Sequence, residues 1–277
     1  MNKFAVYNGE VFERNELNLS FLFWEEKIVV SQKCWFGHGG IPLFNENISL
    51  LIQQIEILKL PCPALLDDKS ELFRITKRML NKNKFYRSGY VHFYIFWHEN
   101  KLNSLILSES SDKFDFPLTA RGILVNFSDT VKFSPNEYSR YAFYNETFWK
   151  VAAARNHGTY FQNSLILNEN KSVCEAIFAN LYTIIGETVY TPALSTGSYE
   201  DIIREIIIDL ARDMGFTISE TENLKKEDVF SADELFIAGE ATGIKWILGV
   251  ENKRFVHKHS EEIHQKLNGY LKGKVQK

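Results

Sequence analysis

The sequence is sparing with the features that would assign it to a class at once. It has three cysteines, Cys34, Cys62 and Cys174, too few and too scattered for a disulfide framework or a zinc site, so no metal centre is expected. That usage fits a reducing compartment. No uninterrupted apolar run reaches the length of a membrane-spanning helix. The first residues, Met1-Asn2-Lys3-Phe4-Ala5-Val6-Tyr7, lack the apolar stretch of a signal peptide, and none is expected. Neither sign of charge dominates: 32 Lys and Arg stand against 35 Asp and Glu, a formal net charge of −3. Such a balance gives no broad electrostatic case for binding nucleic acid or an anionic membrane. There is no internal repeat and no low-complexity tract.

What the sequence does contain is ordinary for a folded protein. Apolar residues make up 45% and charged residues 24%, so global disorder is excluded. The 22 Phe, 12 Tyr and 5 Trp favour a sheet-rich core. The 277 residues suit one large domain or two modest ones, and the composition as a whole reads as a cytoplasmic α+β protein.

Asn8-Gly9 marks a hairpin between strands at 3–8 and 11–12. A strand is expected over 21–30 and a flexible turn at Phe36-Gly37-His38-Gly39-Gly40. Apolar spacing at Ile48, Leu51, Ile52, Ile55 and Leu58 predicts a helix over 45–58, capped by Asn45 or Asn47. A second helix is expected over 70–83. Strands follow over 89–99 and 102–107, around a turn at Asn100-Lys101. Residues 116–122 read as a linker between an N-terminal domain over 1–115 and a C-terminal domain over 123–277. In the second block the pattern predicts a small helix over 151–155, a short strand over 165–167 and one long strand over 172–185. The clearest helix is expected over 199–214, with Ser198 as N-cap, Asp201 at the capping-box position and Gly215 after its end. A short helix over 224–230, strands over 234–238 and 244–250, and a last helix over 257–269 complete the reading.

Three separated pieces of the second block carry the chemistry. The first is Val173-Cys174-Glu175-Ala176-Ile177-Phe178-Ala179-Asn180-Leu181-Tyr182. The second runs Tyr190-Thr191-Pro192-Ala193-Leu194-Ser195-Thr196-Gly197 and on to Arg204. The third is Ser231-Ala232-Asp233-Glu234-Leu235-Phe236-Ile237-Ala238-Gly239-Glu240-Ala241-Thr242-Gly243-Ile244. In order and spacing they resemble the fold-type IV pyridoxal-phosphate enzymes, which include branched-chain aminotransferases, D-amino acid aminotransferases and 4-amino-4-deoxychorismate lyases. That family's pattern is TEG-x-x-SN-hydrophobic, then TPP-L-x-x-G-I-L-x-G-ITR, then ADE-hydrophobic-F-x-T-G-T. The resemblance covers residues 123–250 well and the N-terminal block loosely.

The resemblance implies a smaller N-terminal α/β domain, a larger C-terminal domain with a barrel-like sheet, and pyridoxal 5′-phosphate as cofactor. It places Glu175 at the pyridine nitrogen, where a carboxylate keeps the ring protonated and able to store charge. The phosphate contacts fall on backbone around Ile202 and Ile203, at a helix start that offers free N–H groups, and on Ala241 and Thr242 in a second loop. Ile203 stands where the family has Thr. Arg204, the Arg of ITR, reads as a structural tie to neighbouring carboxylates.

Two family residues are missing. The Schiff-base lysine lies about 32–34 residues before the strand Glu in this family, which here lands on Ala142, with Asn145 retained at the family's Lys-x-x-Asn offset. Lys150 stands too close to Glu175 for that spacing and reads as a surface residue. The phosphate-binding Arg of the family's H-x-x-R-L helix is also absent, since the corresponding stretch is Asn47-Ile48-Ser49-Leu50-Leu51. Arg140, Lys77 and Arg78 are candidate replacements. His38 reads as a turn histidine.

With a lysine at 142 the resemblance implies an aminotransferase acting on an amino acid or amine, or a carbon–carbon lyase. It also implies a homodimer. As written, the chain is either an engineered Lys-to-Ala variant that traps an adduct or a natural pseudoenzyme that binds the cofactor non-covalently or not at all. A non-catalytic binding protein on the same fold is the rival reading.

Overall fold

The computed structural model describes residues 3–17, 28–133 and 135–275. The chain divides into two compact units, one holding residues up to Phe116 together with those from Tyr270 onward, the other Pro117–Gly269.

The first unit is built on an antiparallel sheet of five strands: β1 (Phe4–Tyr7), β2 (Glu10–Glu13), β3 (Ile28–Phe36), β4 (Ser88–His98) and β5 (Lys101–Ser111), in the order β2-β1-β5-β4-β3. Asn8 and Gly9 turn β1 into β2 with φ of +46° and +88°, the left-handed pair that Asn-Gly favours. The strand expected over 21–30 lies outside the described residues as far as 27, and β3 begins at Ile28. Alternation along β4 buries Val91, Phe93 and Ile95. The turn after β4 sits at Glu99-Asn100, both at positive φ, one residue before the expected place.

Helix α1 (Phe44–Ile57) buries Ile48, Leu51 and Ile55, as its spacing requires. Its N-cap is Leu43, and neither Asn45 nor Asn47 caps it. Asn47 is buried within the helix instead, where its amide donates to Leu43 O at 2.9 Å and its oxygen accepts from Gln32 Nε2 at 2.7 Å. Helix α2 (Lys69–Lys82) starts where Asp68 accepts from the N–H groups of Ser70 and Glu71.

The second unit carries a mixed sheet. Its strands are β6 (Ile123–Lys132), β7 (Asn163–Asn168), β8 (Val173–Ala176), β9 (Asn180–Ile185), β10 (Thr188–Pro192), β11 (Thr217–Thr221), β12 (Glu234–Gly239), β13 (Gly243–Val250) and the short β14 (Lys253–Arg254). The order is β11-β10-β9-β12-β13-β6-β7-β8, with β14 on β13. β8 is therefore five strands away from β9, about 24 Å in a flat sheet. Three residues, 177–179, join them and can bridge only about 14 Å. The sheet must curl back on itself, the barrel-like form the resemblance implies. Inside the curl pack Val125, Leu165, Val173, Leu181, Leu235, Ile237 and Ile247.

Three expectations fail here, each for a tertiary reason. The single strand over 172–185 is two strands. Ala176 and Ala179 exchange backbone hydrogen bonds at 2.9 and 3.2 Å around a tight turn, with Phe178 at φ +59°. Nothing but apolar residues marks that turn. The helix expected over 151–155 runs over Ala142–Arg155 (α3), because Asn145 Nδ2 donates to Ser139 O at 2.6 Å and Tyr141 O at 2.8 Å and so fixes an early start. The helix expected over 199–214 is Arg204–Asp213 (α4), with Ile203 and not Ser198 as N-cap. A helix from 199 would pair Ile203 N with Tyr199 O, but Asn180 Nδ2 donates to that carbonyl at 2.5 Å and Ile203 N donates to Asp201 Oδ1 at 3.0 Å, which holds this stretch out of the helix. Downstream, α5 (Lys226–Ser231) and α6 (His259–Gly273) form as short and terminal helices.

Candidate functional site

Glu175 is buried in β8, 1% exposed, and both of its oxygens are engaged. Oε2 accepts from Lys132 Nζ at 2.9 Å and from Tyr199 N at 2.7 Å, and Oε1 accepts from Trp149 Nε1 at 2.8 Å. Lys132 ends β6 and is itself buried. Its ammonium also donates to Ser139 O at 3.2 Å. Strand alternation from Ile123, Val125 and Phe127 would turn residue 132 outward. The β6–β7 pairing keeps that parity across its irregularity, since Phe127 pairs with Leu165 and Val131 with Leu167. Lys132 therefore pairs with Asn168 on the outer face of the curl, the face on which Ile166 pairs with Glu175.

Trp149 comes from α3 and is 2% exposed. The Phe178 ring lies 4.9 Å from it on one side and the Tyr199 ring 4.9 Å away, edge-on, on another. Ile166, Cys174 and Ile177 close the same cluster, and Ala142, the first residue of α3, packs against it. Burial pushes the Cys174 thiol pKa far up, so it behaves as a small apolar group.

The next element holds Asp201, fully buried. Its Oδ1 accepts from Ile203 N at 3.0 Å and from Glu240 N at 2.9 Å, so one oxygen ties the start of α4 to the β12–β13 loop. Burial raises the carboxyl pKa to about 6, against the pull of those two N–H groups and of the Tyr199 phenol. Ile203 is buried and Ile202 half-buried. Ala241 and Thr242 are half-buried in the loop, and Thr242 N donates to Gly239 O at 3.1 Å. The structure thus gathers Glu175, Trp149 and Tyr199 in one place and joins the two loops through Asp201.

Other singled-out residues have plainer settings. Arg204 is buried and donates to Pro192 O at 3.1 Å, to Glu220 at 2.7 Å and to Glu205, a structural tie. Arg140 pairs with Glu200. Lys150 is exposed and pairs with Glu146. In the first unit, Lys77 donates to Gly39 O at 2.7 Å, Arg78 is exposed, and His38 lies edge-on to Trp35 at 5.4 Å. Asp233 Oδ2 accepts from Gly186 N at 2.8 Å, tying the β9–β10 turn. Glu234 caps α6 from outside it, accepting from the N–H groups of Lys258, His259 and Ser260 at 2.9–3.0 Å. Two acidic residues of the third motif are thereby explained by folding alone. A cleft of about 430 Å³ in the second unit is lined by His157, Phe161, Asn163, Phe178, Thr242 and Lys245 among others. Glu175, Ile202 and Ile203 do not line it.

Sequence reasoning missed Lys132, Trp149, Tyr199 and the part played by Asp201. One signal was available: Asp201 occupies the Gly of the G-ITR pattern. Lys132 gave none, because its burial comes from Glu175 and Ser139, which only the tertiary structure brings to it.

Comparison with known proteins places the chain. It is 24% identical over 266 residues to the branched-chain-amino-acid aminotransferase of Escherichia coli K12, covering 88% of this chain and 84% of that one. It is 26% identical over 106 residues to the aminodeoxychorismate lyase of Vibrio harveyi, covering 37% of this chain and 39% of the lyase. In structure it matches the E. coli branched-chain aminotransferase with a TM-score of 0.82 at 20% identity, over 100% of this chain and 97% of that one. It matches the pyridoxal-phosphate form of the enzyme from Thermobaculum terrenum with a TM-score of 0.83 at 16% identity, over 99% and 95%. The profile of the class IV amino-transferases matches residues 68–247, and the chain belongs to that family, which uses pyridoxal phosphate.

Proposed function

We propose that this chain is a non-catalytic member of the class IV family, one that keeps the aminotransferase fold and does not pass amino groups through a lysine. Ala142 carries the reading. It opens α3 and packs with a methyl group against the Trp149 cluster, at the position the resemblance gives to the Schiff-base lysine. Pyridoxal phosphate, where bound, supplies an aldehyde for covalent attachment and a ring that stores charge. An alanine offers neither an amine for attachment nor a base to move a proton.

The surroundings favour natural loss over an engineered replacement. A single Lys-to-Ala change in a working site leaves the rest of that site as it was. Here the ground beside Glu175 is held by Trp149, Phe178 and Tyr199. With lysine restored at 142, the chemistry to test is transamination of an amino acid or amine, or carbon–carbon lysis as in the aminodeoxychorismate lyases. A homodimer belongs to this proposal through the resemblance alone and a cytoplasmic setting through composition and cysteine usage, and light scattering tests the first.

The test is an amino-transfer assay with pyridoxal phosphate, a 2-oxo acid acceptor and panels of L- and D-amino acids. The expected rate equals that of the cofactor without protein. Substrate-dependent turnover that disappears in Glu175→Gln overturns the reading. One observation favours a second reading: Lys132 is buried beside Glu175 and could supply the amine from another strand. Its ion pair argues against it, because an ammonium holding a carboxylate has no free lone pair. A borohydride-fixed phosphopyridoxyl group on Lys132 would establish the second reading.

A further inference from the structure

We infer that the cofactor seat of this chain is closed from within: the Trp149 indole takes the ring's place at Glu175, and the Asp201 carboxylate takes the phosphate's place between the two loops. The inference rests on the non-catalytic reading and goes further, because a chain without the lysine could still hold the cofactor non-covalently.

At the ring end, a heterocycle whose N–H points at a carboxylate is what the resemblance calls for, and the chain supplies one of its own. Trp149 Nε1 donates to Glu175 Oε1 at 2.8 Å, while Oε2 is taken by Lys132 and Tyr199. Phe178 and Tyr199 flank the indole, both with centroids at 4.9 Å. A second aromatic ring at that carboxylate requires Trp149 to leave a cluster in which it is 2% exposed. Close packing makes that displacement costly.

At the anion end, the resemblance assigns the phosphate to backbone N–H groups around Ile202–Ile203 and to the Ala241–Thr242 loop. Asp201 Oδ1 already accepts from Ile203 N and Glu240 N. A carboxylate is the natural occupant of convergent N–H donors at a helix start, as a phosphate is. Glycine in the family pattern leaves that space free, and Asp201 fills it. A phosphate brought beside Asp201 would meet a like charge in a water-poor setting, where repulsion is strong. Space is short as well: a Cβ added to Gly239 would stand 2.9 Å from Phe178 O, 3.1 Å from Asp201 Oδ2 and 3.2 Å from Thr242 Oγ1. The residues present do not fit pyridoxal phosphate.

The experiment uses the full chain, with pyridoxamine 5′-phosphate as the main probe because it has no aldehyde to react with surface lysines. Binding is followed by quenching of tryptophan fluorescence and by melting temperature. Pyridoxal phosphate with borohydride and peptide mapping forms the second arm. The inference expects no saturable quenching, an unchanged melting temperature and no stoichiometric lysine adduct. Saturable pyridoxamine phosphate binding with a raised melting temperature and no lysine adduct overturns the closed seat and leaves the non-catalytic reading standing. A stoichiometric adduct on one buried lysine overturns both. Opening variants give the converse test. Asp201→Gly combined with Trp149→Ala should bind the probe at least tenfold more tightly than the parent, as should Asp201→Gly with Trp149→Val. Variants that fold by circular dichroism and bind no better than the parent overturn the inference.

Discussion

The indole N–H of Trp149 points at Glu175 Oε1 across 2.8 Å, and the opposite oxygen of the same carboxylate meets the Lys132 ammonium at 2.9 Å. A carboxylate with almost no access to water is thus held by one cation, one indole and one backbone amide. Each donor offsets part of the cost of taking its charge out of solvent. The arrangement is self-sufficient, and its energetics can be measured without any ligand.

Lys132→Met should therefore cost about 3–5 kcal/mol, the usual penalty for leaving one member of a buried ion pair alone. Replacing both partners, as Lys132→Met with Glu175→Leu, should recover part of that loss. Urea unfolding midpoints measure both. A loss below about 1 kcal/mol for the single variant would show that Glu175 gains compensation from water, as surface pairs do.

Asp201 predicts a pH dependence of definite sign. Its folded-state pKa, about 6, lies above the ordinary value of 3.8, so the native state holds the proton more tightly than the unfolded chain. The stabilising contribution is complete below the ordinary value and is lost as pH rises through about 6, a swing of roughly 3 kcal/mol. Asp201→Asn removes the titration. The melting temperature of that variant relative to the parent should rise from about pH 4 to about pH 7. A difference that stays flat over this range would falsify the assignment of the carboxylate to a buried site.

Glu234 caps a helix that is distant in sequence. Glu234→Ala strips three N–H groups, that of Lys258 just before α6 and those of its first two residues, of their acceptor and should cost about 2 kcal/mol. Hydrogen exchange localises the effect: the amides of Lys258, His259 and Ser260 should lose protection while those of β9 keep theirs. Uniform loss across the unit points to a general defect and not to a lost cap.

Gly243 closes the β12–β13 turn at φ +73°, and a Cβ there would stand 2.4 Å from Pro117 O. Gly243→Ala combines a left-handed backbone with a clash against main chain that has no rotamer to escape through. A loss of at least about 2 kcal/mol is expected in thermal or urea unfolding. A neutral result would mean that the 117–119 segment moves aside freely.

Thiol labelling distinguishes the three cysteines. Cys34 and Cys174 are buried and Cys62 is exposed. Native protein should react once, and Cys62→Ser should abolish the fast phase. Partial burial, then Asp67 and Glu56, raise the Cys62 pKa, so the fast phase should quicken as pH rises above neutrality. Two fast thiols in native protein contradict the packing around Cys174.

The sequence alone was enough for whatever depends on neighbours along the chain. Asn8-Gly9 dictates its turn through left-handed dihedrals. The spacing of Ile48, Leu51 and Ile55 dictates α1, and three ordered motifs dictate the family and its curled sheet. Tertiary structure decided the rest. Tyr199 and Glu200 leave the helix their sequence favours because Asn180 takes the Tyr199 carbonyl and Asp201 takes the Ile203 N–H that would have met it. An apolar run breaks at Phe178 without a turn residue because the curl of the sheet leaves only three residues to join β8 to β9. Lys132 lies on the outer face of the curl, as alternation requires, and is buried because Glu175 and the Ser139 carbonyl meet it there. Asp201, a capping residue by pattern, becomes a buried anion shared by two loops, since burial and convergent N–H groups arise only when distant segments meet.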